Sequence, residues 1–140
     1  MEKLVGQIDG LSRRQCNDLH ALATLPVARS DVLTLDMAQA MLAISHDIKR
    51  EVAVFIDRSG QVLMVSVGQA DKAPVFELRK RRWQFGYAGV RCIHTHPSGT
   101  AHFSEADFSA LKNLHYDCMV ALAQKGEQIR VAAAMLEPVD

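Results

Sequence analysis

The residues with chemical potential sit in one stretch: His94 and His96 close an apolar run, and Ser104 and Asp107 follow across a short loop. Side chains alternate along a strand, so Cys92, His94 and His96 point one way and Arg91, Ile93 and Thr95 the other. Two imidazoles on one face can reach a single metal ion. Asp107 falls in the first turn of an expected helix, whose positive end favours a carboxylate. Facing the histidines across a seven-residue loop, it would complete a three-ligand zinc site with one position left for water. Pro97, Ser98 and Gly99 supply the turn between the halves. A plainer reading covers the same residues: Ser-x-x-Asp ahead of an apolar helix is a capping box, and a histidine pair at a strand end is often only exposed. The readings are compatible, and the joint spacing is more specific than its parts. Cys92 is a further ligand in reach but reads as a small buried apolar residue. His102 reads as an exposed loop residue.

The elements that must position this stretch follow from pattern. Ser12 caps a helix over 13–24, with Leu19 and Leu22 on one face and Pro26 beyond its end. Residues 27–33 read as a connector. Thr34 caps a second helix whose Met37, Met41, Ile44 and Ile48 fall at helical spacing, a core stripe. The period then changes. Glu51–Asp57 and Gln61–Val67 are β-rich runs joined at Arg58, Ser59 and Gly60, an antiparallel hairpin apolar enough to lie within a covered sheet. Residues 69–89, punctuated by Pro74 and Gly86, read mostly as loop. Residues 90–96 form a strand ending at Pro97, residues 105–114 a helix, and residues 117–123 and 128–134 two strands around Lys125, Gly126 and Glu127. This order predicts an α/β (α+β) architecture in which helices cover a mixed sheet.

At 140 residues the chain is expected to form one domain, with a lead-in at 1–33 and a core at 34–136. Sixteen basic and sixteen acidic residues cancel, so any attraction to nucleic acid must be local. The one dense basic run is Arg79, Lys80, Arg81 and Arg82 beside Trp83, which could hold a phosphate backbone and stack a base, or could be a solvated loop. Cys16, Cys92 and Cys118 lie far apart, which indicates neither a disulfide framework nor a zinc ribbon and suits a reducing cytoplasm. No apolar run is long enough to span a bilayer.

Taken together, the motif resembles the signature of the JAMM/MPN metalloenzyme family: an upstream Glu, His-(Ser/Thr)-His-Pro, seven residues, then Ser-x-x-Asp. The resemblance implies a cytidine-deaminase-like sheet sandwiched by helices, with Zn2+ held by His94, His96 and Asp107. It also implies Ser104 as the residue that stabilises the oxyanion. The family's general base heads the first core strand, and Glu51, followed by Val52, Ala53, Val54, Phe55 and Ile56, matches that form. On pattern alone Glu51 reads as a strand-edge charge after Lys49 and Arg50. The implied activity is that of a metalloprotease, hydrolysing an amide or isopeptide bond in a peptide or protein substrate.

Two branches of the family compete. The loop His94–Gly99 resembles RadC-type proteins, which implies an association with DNA. Over most of its length, through residues 6–12, 57–60, 67–68 and 111–119, the chain is similar to the N-terminal extension of HflX-type ribosome-associated GTPases. That likeness implies a non-catalytic interaction domain, contact with ribosome or RNA through Arg79–Arg82, and a GTPase domain beyond residue 140. Such extensions often lack part of the metal set, whereas this chain keeps Glu51 and Pro97. No Gly-x-x-x-x-Gly-Lys-(Ser/Thr) occurs in it, so these residues do not bind GTP by that route.

Overall fold

The computed structural model describes residues 3–25, 27–28, 31–68, 89–113 and 116–135. The basic run at 79–82 with Trp83, and the expected loop it belongs to as far as residue 88, lie outside these residues. In chain order the described elements are β1 (Leu4–Gly6), α1 (Arg13–Leu22), α2 (Leu35–Ile48), β2 (Val52–Asp57), β3 (Val62–Val67), β4 (Val90–Thr95), α3 (Glu105–Asn113), β5 (Cys118–Lys125) and β6 (Gln128–Met135). They make an α+β fold of three helices and one six-stranded mixed sheet, in the order β1-β3-β2-β4-β5-β6. No helix among the described residues is long and apolar enough to cross a membrane.

The helices begin where side chains can satisfy their first N–H groups. Ser12 Oγ accepts from Gln15 N while Gln15 Oε1 accepts from Ser12 N, a reciprocal box. Thr34 Oγ1 accepts from Met37 N. The predicted stripe of α2 is core: Met37 and Met41 are fully buried, Ile48 nearly so, and Ile44 packs at its margin.

The hairpin of β2 and β3 is antiparallel, and its strands are apolar because both faces of the sheet are covered. Helices α1 and α2 cover one face, packing on Val52, Val54, Ile56, Val65, Ile93 and Val120. On the other face Ala110, Leu111 and Tyr116 pack with Ala53, Phe55, Cys92 and Met119. The turn is built by Asp57, whose Oδ1 accepts from Ser59 N, Ser59 Oγ and Gln61 N. Gly60 is required there: its φ is +93°, and a Cβ would lie 1.8 Å from the Val27 carbonyl oxygen.

The structure departs from the sequence expectation at the N-terminus, where residues 4–6 form an edge strand parallel to β3. Three residues are too few to show a period. The lead-in is also continuous with the core, since Leu4, Leu19 and Leu22 pack in the same cluster as α2.

Candidate metal centre

Strand β4 lies between β2, antiparallel to it, and β5, parallel to it. Parallel neighbours need a crossover, and α3 lies within this one. The crossover carries the chain from the end of β4 over the sheet face, so the first turn of α3 returns to the end of β4. That is how residues 94–96 come to face residue 107.

Alternation along β4 is as the sequence predicts. Cys92 is buried with Ala53 and Phe55, on the α3 side, whereas Ile93 packs with the α1 and α2 core. His94 is fully buried and His96 partly so. Their Nε2 atoms are 3.0 Å apart. Asp107, 6% exposed, closes the group: Oδ1 is 3.3 Å from His94 Nε2 and Oδ2 3.3 Å from His96 Nε2.

Asp107 is also the capping residue that the plainer reading requires. Its Oδ2 accepts from Ser104 N at 3.0 Å, and Ser104 Oγ accepts from Asp107 N at 3.1 Å. The cap and the cluster are one arrangement. Accepting from Asp107 leaves the exposed Ser104 hydroxyl its own proton to donate.

Glu51, immediately before β2, stands beside the histidines. The antiparallel pairing of Ala53 with His94 brings the head of β2 to the end of β4. Ligand atoms of Glu51, His94 and His96 all lie within 4.8 Å of one another, and this cluster could hold a metal ion. The two histidines are thus shared between two carboxylates. Asp107 has an oxygen 3.3 Å from each Nε2, and Glu51 has a carboxylate oxygen within 4.8 Å of both rings' ligand atoms.

The donor set, imidazole nitrogens and carboxylate oxygens, suits a tetrahedral ion. The two Nε2 atoms are 3.0 Å apart, and each lies 3.3 Å from a different oxygen of Asp107, Oδ1 for His94 and Oδ2 for His96. The other ring nitrogen of His96, Nδ1, is 3.0 Å from the Thr100 carbonyl, the kind of partner that orients a metal-binding imidazole. His94 departs from that pattern. Its Nδ1 is buried with no hydrogen-bond partner among the described residues, and packing against Phe103, with ring centroids 6.4 Å apart, fixes the ring instead.

No protein-family model matches this chain, and no curated protein matches it. Its site is therefore read from the residues themselves.

Burial pushes the Asp107 carboxyl up, but hydrogen bonds from His94, His96 and Ser104 N outweigh it and hold the group well below the usual carboxylate range. The Asp107 hydrogen bond raises His96, against its partial burial. Cys92 is pushed well above the ordinary thiol range by burial first, then by Asp107 and Glu51, so it stays a neutral thiol and a poor ligand. His102 is exposed, as its sequence position suggests.

These shifts set a pH dependence with a definite sign. A depressed Asp107 contributes stability above its unfolded pKa of about 3.9, lost as pH falls through its folded value. A raised His96 contributes below its unfolded pKa of about 6.5, lost as pH rises through its folded value. With chelator present, the stabilisation from this pair is therefore expected to be greatest between about pH 4 and 6.5. Added zinc should move the optimum upward, because ligating histidines must be neutral. Melting temperature against pH, with chelator and with zinc, checks this; coincident curves would contradict it.

Sequence reasoning missed two hydroxyls. Thr95, between the histidines, and Ser45, on α2, are both buried and hydrogen-bonded to one another at 2.8 Å. Neither carries a local signal for this bond, because each is fifty residues from the other in the chain.

Proposed function

We propose that this domain is a zinc-dependent hydrolase of amide or isopeptide bonds, of the JAMM/MPN type. The observation that supports this reading most is the convergence of His94, His96 and Asp107 within contacts of 3.0 to 3.3 Å, with Glu51 alongside. His94, His96 and Asp107 would hold the ion. Zinc, when bound, polarises the scissile carbonyl and makes water acidic enough to ionise near pH 7.

The remaining steps belong to the chain. Glu51, beside the histidines, takes the proton of the attacking water and returns it to the departing amine. Ser104, exposed at the start of α3, donates its hydroxyl proton to the carbonyl oxygen as that oxygen gains charge. Asp107 is aimed by its bond from Ser104 N, so the cap also orients the ligand. A cavity of about 230 Å³, lined with His96 by Leu42, Ser45, His46, Lys49, Pro97 and Gln124, leaves room for a side chain beside the site.

The test is metal content. Protein purified without added chelator is expected to carry close to one zinc per chain by elemental analysis. No uptake after zinc is supplied would remove the catalytic reading and leave an interaction domain, the role implied by the HflX likeness.

A further inference from the structure

The two halves of the site sit on different strands, Glu51 ahead of β2 and the histidines on and after β4. Paired residues of these strands run from Asp57↔Val90 to Ala53↔His94. One step further on, at Val52 and Thr95, a side chain continues the ladder: Val52 N donates to Thr95 Oγ1 at 2.9 Å. Thr95 Oγ1 donates to Ser45 Oγ at 2.8 Å, and Ser45 Oγ donates to the Arg50 carbonyl at 2.7 Å. Thr95 is 1% exposed and Ser45 3%. Both hydroxyls are thus bonded within the protein, and the proton order along the relay is set by the N–H at one end and the carbonyl at the other.

The relay grips the chain on both sides of Glu51. Its two ends are Arg50 and Val52, and its middle is the residue between the two histidines. Two further backbone bonds run outward: Gly68 N donates to the Glu51 carbonyl, and His96 N to the Leu122 carbonyl. They tie each half of the site to its outer neighbour, β3 or β5. The Thr95 bond extends the β2–β4 ladder, which ties the halves to each other, past its last pair at Ala53 and His94.

From this we infer that Thr95 and Ser45 are positioning residues, which hold the imidazoles of His94 and His96 at the ion site and the Glu51 carboxylate in register with them. Thr95 faces the α2 side of the sheet and touches neither the ion site nor a substrate, so it acts through the strands it joins. The inference rests on the proposed metal reading and assigns the alignment of that site to two buried hydroxyls.

Two substitutions at Thr95 separate hydroxyl from shape. Thr95→Val keeps the volume and removes the hydroxyl, whereas Thr95→Ser keeps the hydroxyl and removes the methyl. Each is titrated with cobalt(II) after metal removal, followed by visible absorption, with Val52 amide exchange and melting temperature measured in parallel. Thr95→Ser is expected to match the native spectrum and affinity. Thr95→Val is expected to shift the absorption band, to weaken cobalt binding about 10- to 100-fold, the range for groups that orient metal ligands, and to speed Val52 exchange. Ser45→Ala, which leaves Val52 its acceptor, is expected to fall between them, and it carries the test if Thr95→Val does not fold. Native behaviour in both Thr95→Val and Ser45→Ala, or equal damage from Thr95→Ser and Thr95→Val, would overturn the inference while leaving the metal reading standing. A native protein that takes up no cobalt would overturn both.

Discussion

Replacing Asp107 with alanine is expected to strip zinc from the purified protein, with affinity falling by more than the roughly 100-fold that follows loss of a merely orienting group. The carboxylate is nearly buried and has an oxygen 3.3 Å from each imidazole, so its removal takes a charge from direct contact with both histidines. The variant also loses its half of the α3 cap, a cost of about 1 kcal/mol. Asp107→Asn keeps an acceptor for Ser104 N and serves as the control: zinc should still be lost while more of the helix start survives. Zinc content and the melting curve, taken together, check the prediction. Retention of stoichiometric zinc in Asp107→Ala would identify Glu51, His94 and His96 as the ligand triad and leave the base unassigned.

Glu51→Gln carries the second large effect. Glutamine keeps the size and a carbonyl acceptor but cannot take a proton at neutral pH. Zinc should remain bound, and hydrolysis of a fluorogenic peptide cleaved by the native protein should fall about 10²- to 10⁴-fold, the contribution of a positioned general base. The two variants are therefore expected to fail differently, one by losing metal and one by losing turnover. Loss of zinc in Glu51→Gln would make Glu51 a ligand. Full activity would remove it from the reaction.

What could be read before the fold was in hand depended on the range of the interaction involved. The stripe of α2 was legible because four apolar residues at helical spacing have only one way to be buried together, and Met37 and Met41 are indeed inaccessible. The hairpin was legible because its strands and its turn are contiguous. Ser104 and Asp107 were legible as a cap from their spacing, and both reciprocal bonds are present. Strand β1 was not, because three residues carry no period and their partner, β3, is sixty residues on.

Glu51 marks the boundary. Nothing local distinguishes it from a charge at a strand edge, and only resemblance pointed to it. Its nearness to the histidines comes from the pairing of β2 with β4 across a long segment. The Ser45 and Thr95 hydroxyls were beyond reach for the same reason, and neither stands out in composition.

Strand β4 does different work on its two faces, and this limits how its length can vary. Substitutions at its packing residues, Ile93 on one face and Cys92 on the other, can be absorbed one at a time, by repacking against the helix pair or against Phe55 and Met119. An insertion or deletion of one residue between Val90 and His94 cannot, because it exchanges the faces of every residue beyond it. The imidazoles would be driven among Val54, Ile93 and Val120, and Thr95 would take their place before Asp107. Descendants of this sequence are thus free to drift in the identity of those packing side chains but not in the count of residues, whereas the loop from Pro97 to Phe103 can change length where Thr100 keeps its carbonyl on His96 and Phe103 its ring against His94.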